Sequence, residues 1–222
     1  MGLILHCADI GSVARRKFGW ARLAADRPSR KCSIGVDISD FADGIARDLN
    51  NGHRVAVGFE CPLFVPAPEP DSPEGLTSAR PGEKDRAWSA GAGSGALATG
   101  LTETVWILDR VRRKVQATHL AHAEWQPFQK KGGLFVWEAF VTKDAKTDTH
   151  PGDAEVAVLS FRDSMPNPEN HNAITPNGRV RSLIGAALLQ TGWATDLAWL
   201  TEPCIVIRAQ PRIAAHRPKR CI

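Results

Sequence analysis

The chain has 222 residues, a net charge of +4 and a pI near 8.9, with 43% hydrophobic and 23% charged residues. That is enough chain for one sizeable core, and no apolar run approaches the roughly 20 residues of a membrane-spanning helix. The charge permits contact with phosphates without marking it, and no basic segment followed by an apolar run and a cleavage site opens the chain, so no signal peptide is expected.

Leu3 to Asp9 is a nearly unbroken apolar run that ends in an acid, followed by Gly11 and Ser12. Apolar residues at successive positions suit a strand covered on both faces. After a turn through Val13 to Arg16, Phe18 to Leu23 reads as a second strand and Cys32 to Val36 as a short third. Short polar connections make these three an antiparallel meander. Asp37 and Ser39 are N-cap types, and Ile38, Phe41, Ala42, Ile45 and Leu49 then recur at helical spacing until Asn50-Asn51-Gly52 stops the helix.

Val55 to Glu60 is a second buried strand ending in an acid, closed by Pro62. Residues 65–86 carry five prolines among many charges and read as an inserted loop or lid. A glycine-rich stretch, Gly91 to Gly95, leads into a long helix over 94–116, and 119–133 reads as an irregular connection. Leu134 to Val141 is a third apolar strand and contains Glu138. After a polar loop, Pro151 suits a first helical turn, and Asp153, Val156, Ala157 and Ser160 share one helical face. Residues 165–178 read as loop, Arg179 to Gln190 as helix, Cys204 to Ile207 as a last strand and 211–222 as a basic tail on a single 222-residue domain. The five cysteines are scattered, with no Cys-x-x-Cys pair, and read as reduced thiols of a cytoplasmic protein.

Helices at 38–51 and 94–116 supply the crossovers that parallel strands require. The strands ending in Asp9 and Glu60 then lie side by side, about 4.8 Å apart. Two carboxylates that close repel one another unless a cation sits between them. Mg2+ or Mn2+ held by a few carboxylates resolves the conflict, and Asp153 and Glu138 are positioned to complete the set.

Asp9-Ile10-Gly11-Ser12 with its following hairpin, Val57-Gly58-Phe59-Glu60-Cys61-Pro62, Val136-Trp137-Glu138-Ala139-Phe140 and His150-Pro151-Gly152-Asp153-Ala154 together resemble a family of RNase H-like nucleases. The likeness covers residues 3 to 163. The order of acids is also similar to the wider ribonuclease H-like superfamily, with its resolvases and transposases. The resemblance implies an α/β fold in which a mixed central sheet, an antiparallel three-strand meander plus parallel strands, is flanked by helices. It implies metal ligands at Asp9 (first strand), Glu60 (fourth strand), Asp153 (final helix) and Glu138 (fifth strand). The narrower family often has Asp-x-Pro on the fourth strand, where this chain has Glu-Cys-Pro. The implied activity is Mg2+- or Mn2+-dependent hydrolysis of nucleic-acid phosphodiesters at a two-metal site, with His150 a candidate for proton transfer or product release. Nucleic acid is the implied partner, with no membrane role, and a dimer is compatible.

Each acid also has a plainer reading. Asp9 suits a turn cap, Glu60 an ion pair, Glu138 a solvated strand face and Asp153 the first turn of a helix. His150 suits an ordinary loop. Asp9-Ile10-Gly11-Ser12 equally fits the phosphate hairpin of sugar kinases and actin-like ATPases, so nucleotide binding, or a non-catalytic use of the fold, is the alternative. Gly91 to Gly95, with Trp88 and Ser89 beside it, reads as tight packing or a phosphate cradle. The run Arg110, Arg112, Arg113 and Lys114 reads as a solvated helix face or a phosphate track.

Overall fold

The computed structural model describes residues 2–211 apart from Ser72, Lys84, Asp85, Arg86, Ala117 and His119. The basic tail expected at 211–222 therefore lies, from residue 212 on, outside the described residues.

Strands β1 (Leu3–Asp9), β2 (Gly19–Ala24) and β3 (Ser33–Gly35) form the expected antiparallel meander. Helix α1 (Ile38–Asn50) starts where Asp37 accepts the Ser39 and Asp40 amides and ends at Gly52, whose φ is +75°. It carries the chain to β4 (Arg54–Phe59), which lies parallel to β1. Helix α2 (Gly91–Arg112) carries it on to β7 (Leu134–Phe140), parallel to β4. The sheet order is β3-β2-β1-β4-β7, and the outer edge of β7 is shared. The two-residue β6 (Ala121–His122) pairs with its first half and β9 (Val206–Arg208) with its second. The mixed α/β sheet flanked by helices is the architecture expected.

Every residue of β1 and β7 is buried, because helices cover both faces of the sheet. On one face Leu3, Leu5 and Cys7 of β1, Ala56 of β4 and Phe135 and Trp137 of β7 pack against α3 (Trp125–Lys131) and α4 (His150–Asp163). On the other, Ala8, Val57 and Val136 pack against α1, α2 and α5 (Leu183–Gln190). This two-layered burial is why the strands read as continuous apolar runs rather than alternating ones.

The structure departs from the sequence expectation in three places. Residues 119–133 are not irregular throughout: they contain β6 and α3, whose Trp125 and Phe128 are buried against Phe135 and Phe161. The expected helix over 179–190 begins as strand β8 (Val180–Ser182), which pairs with β5 (Phe64–Pro66). There Ser182 ends the strand and caps α5 by accepting the Gly185 amide. Where it is described, the proline-rich segment is tied down at Arg80, which lies deep inside the protein and binds Glu83 and Glu138. Among the described residues no helix is long and apolar enough to cross a membrane, and none of Cys7, Cys32, Cys61 and Cys204 forms a disulfide.

Candidate metal centre

Strand alternation carries Asp9 to the α4 face, two residues beyond Cys7 and on the same side. Glu60 follows β4 with the parity of Ala56 and so reaches the same face. Ala8 stands opposite Phe59 in the parallel register, which sets Asp9 beside Glu60. The first turn of α4 crosses above them and brings His150 and Asp153. Asp9, Glu60 and Asp153 are all buried, and each offers a carboxylate oxygen within 4.8 Å of the other two.

Gly19, paired with Asp9 across the β1–β2 ladder, makes this crossing feasible. A Cβ there would collide with the backbone of His150 and Pro151. A glycine at the start of a strand that otherwise reads as apolar was the available signal for such close approach.

Two more groups enter the site that sequence reasoning did not identify. The Lys146 ammonium sits 2.8 Å from Asp153 Oδ2 and 3.5 Å from Glu60 Oε1. Burial alone would lower its pKa, but the charges of Glu60 and Asp9 and the hydrogen bond to Asp153 outweigh burial and raise it. It is therefore a firmly charged counter-ion within an acidic group. The Thr147 amide donates to Asp153 Oδ1 at 2.6 Å, so Asp153 also ties the preceding loop to its helix. No spacing rule marks Lys146 or Thr147 in advance, because their loop is shaped by the cap at Thr149. His150 Nδ1 hydrogen-bonds Asp9 Oδ2, with its ring partly open to solvent.

Glu138, expected among the ligands, does not join this group. Phe59, not Glu60, is its neighbour in the β4–β7 register, and one residue of offset turns a side chain to the opposite face. There Arg80 grips both its oxygens, at 2.8 and 2.6 Å, and the Leu63 amide donates to Oε2 at 2.9 Å. Glu138 is not solvated, and it is not one of the three acids that converge; it anchors the segment that follows Glu60.

The turn after Asp9 is backed by Glu103 of α2. Burial pushes its carboxyl up to about 7, against the pull of the Gly11 and Val13 backbone amides. A raised carboxyl pKa means the native state keeps a proton that the unfolded chain has released. Stability is therefore expected to fall as pH rises from about 4.5 to about 7, by about 2–3 kcal/mol. In Glu103→Gln this dependence should flatten, as urea titrations across that range would reveal.

The other motifs are absorbed by structure. Gly91 to Gly95 forms the first turn of α2, and a Cβ on Gly93 would strike the Ala87 carbonyl, so close packing accounts for that glycine. Trp88 and Ser89 donate to the Ser78 and Thr77 carbonyls. In the basic run, Arg110 and Lys114 pair with Asp43, Arg113 pairs with Asp109, and Arg112 lies over Trp193. No protein-family model, curated protein or solved structure matches this chain.

Proposed function

We propose that this chain is a metal-dependent nuclease of ribonuclease H-like fold, hydrolysing nucleic-acid phosphodiester bonds with Mg2+ or Mn2+ held by Asp9, Glu60 and Asp153. The observation that carries the reading is the convergence of these three buried carboxylates at the ends of two adjacent parallel strands and the first turn of the helix above them. Open α/β sheets place ligands at that edge. The donor set is all hard oxygen, which suits Mg2+ or Mn2+. Opposite ligands of an octahedral ion with ~2.1 Å bonds lie ~4.2 Å apart, so separations up to 4.8 Å need only small adjustment. The meander, the central parallel pair and the positions of the three acids are the features carried by the family resemblance. Described cysteines without disulfides suit a cytoplasmic setting.

A divalent ion bound there supplies a water of lowered pKa and charge stabilisation at the leaving oxygen. The protein contributes the holding groups, a buried floor that limits water, and His150. Through Nδ1 the His150 ring is oriented by Asp9, and its solvent-exposed part is open to exchange a proton with water or product.

The test is cleavage of RNA, DNA, hybrid and branched substrates by purified protein with Mg2+ or Mn2+ and with EDTA. Cleavage that EDTA stops supports the reading; failure on every substrate with both metals overturns it. A second reading rests on Lys146, which already neutralises part of the acidic group and would make it a structural ion cluster. Lys146→Met separates the two. The metal reading predicts about tenfold tighter Mn2+ binding by calorimetry, since a competing cation is gone. The structural reading predicts a lower melting temperature and no Mn2+ binding in either protein. Stabilisation by ATP–Mg2+ but not by Mn2+ would favour the nucleotide-binding alternative instead.

A further inference from the structure

A cavity of about 580 Å3 opens beside the three carboxylates, and Lys146 belongs to both. Its wall also carries Lys143 and Arg208. Two acids line it. Glu83 is bound by the Arg80 guanidinium and by the backbone amides of Arg80 and Trp88, and Asp144 is exposed. Of its cations, Lys146 is already held by Glu60 and Asp153, so the charge on this wall that no carboxylate among the described residues offsets is that of Arg208.

Arg208 gives the cavity its chemistry. It is half-buried at the end of β9, with its guanidinium over the Phe140 ring, 4.5 Å from the centroid. Nη2 donates to the Gly82 carbonyl at 2.6 Å. Among the described residues, no carboxylate pairs with it. The buried Arg80, by contrast, is paired with both Glu83 and Glu138. Burial without a counter-ion is costly to a cation, and it lowers the Arg208 pKa. An anion in the cavity would recover that cost. A guanidinium has five N–H donors in a planar fork that matches phosphate oxygens two at a time, and one carbonyl leaves most of them available. The first turn of α2 reaches the same wall through Ala92, adding the positive end of a 22-residue helix.

We propose that this cavity binds a phosphate of the nucleic-acid strand next to the bond that is cut, with Arg208 as its bidentate donor and Lys143 and Lys146 as point charges. The inference rests on the nuclease reading for the identity of the anion. Ligand pockets commonly span about 300–1,000 Å3, so the cavity has room for a nucleotide unit as well as its phosphate.

The test is binding of a labelled single-stranded oligonucleotide, by fluorescence anisotropy in Ca2+ over a range of salt concentrations. Arg208→Gln is expected to weaken binding about tenfold and to reduce the salt dependence by about one counter-ion. Lys143→Gln, at an exposed position, should weaken it about threefold and decides the matter if the Arg208 variant melts. Arg113→Gln removes the same charge at the far end of α2 and should leave binding unchanged. The inference is overturned if the wild type does not bind, if neither cavity variant weakens binding, or if Arg113→Gln weakens it equally. Displacement by inorganic phosphate at oligonucleotide-like concentrations would also overturn it, because the site would then take free phosphate and not a strand. Binding through Arg208 with no cleavage under any metal would sink the nuclease reading and leave the cavity as a nucleic-acid site. Cleavage with unchanged binding in both variants would do the reverse.

Discussion

Asp9→Asn is expected to reduce Mn2+-dependent cleavage by about a thousandfold or more while leaving the protein at least as stable as the wild type. The two parts of this expectation have different origins. An amide is a poor ligand for a hard dication, and losing about 4 kcal/mol of transition-state stabilisation corresponds to a factor of about a thousand. The substitution also removes one negative charge from a group in which Asp9, Glu60 and Asp153 crowd within 4.8 Å. Relief of that repulsion opposes any destabilisation. Asn retains the size of Asp, and its side-chain oxygen can still accept from His150. Single-turnover cleavage read alongside a thermal melt checks both parts. Lost activity with an unchanged or higher melting temperature is the signature of a metal ligand. Lost activity with a collapsed melting temperature would instead make Asp9 a turn-capping acid.

Arg80→Met is expected to destabilise the fold by about 3–5 kcal/mol, the cost of leaving buried charge without its partner. Arg80, Glu83 and Glu138 have side chains only 2%, 1% and 1% exposed. Arg80 is the only counter-ion paired with the two acids among the described residues. Deleting it strands two carboxylates where water does not reach. Pairing the change with Glu138→Gln should recover part of the loss, because one stranded charge is then neutral. Urea denaturation of the two single variants and the double variant measures this coupling. The consequence extends to the candidate centre. Glu138 holds the Leu63 amide, three residues after Glu60, so loosening the Arg80 network also loosens the turn that presents Glu60. A ligand role for Glu138 predicts a different result: Arg80→Met would free it for metal, and Mn2+ affinity would rise.

The elements themselves were largely legible from the chain. Apolar runs bounded by acids and prolines marked β1, β4 and β7, and Asp37 with a 3.6-residue apolar period marked α1. Short polar connections marked the meander, and the need for crossovers put β1 beside β4. These follow from local propensity and from the connection rules of sheets, which the order of residues carries directly. The misses came from segments whose form depends on a distant neighbour. Val180–Ser182 is a strand because Phe64–Pro66 offers it an edge, and α3 forms where Trp125 and Phe128 find the aromatic face of β7 and α4.

The candidate centre divides along the same line. Asp9, Glu60 and Asp153 stood out as acids at strand ends and in a first helical turn, and tertiary structure brought them together. Glu138 stood out less sharply, as an acid within a strand and not at its end, and register set it apart. In a strand buried on both faces, apolar residues occupy every position, so alternation leaves no trace of which side a given acid takes. Only the pairing of Ala8 with Phe59 and of Phe59 with Glu138 decides it, and a one-residue offset exchanges the two faces. Lys146, Arg80 and Arg208 carried no local signal, since a long flexible cation serves whichever acid or cavity the fold brings within its reach. The residue types capable of the chemistry are thus written in the sequence. Which of them share a site is decided by strand register and by the glycine at position 19 that lets α4 come close.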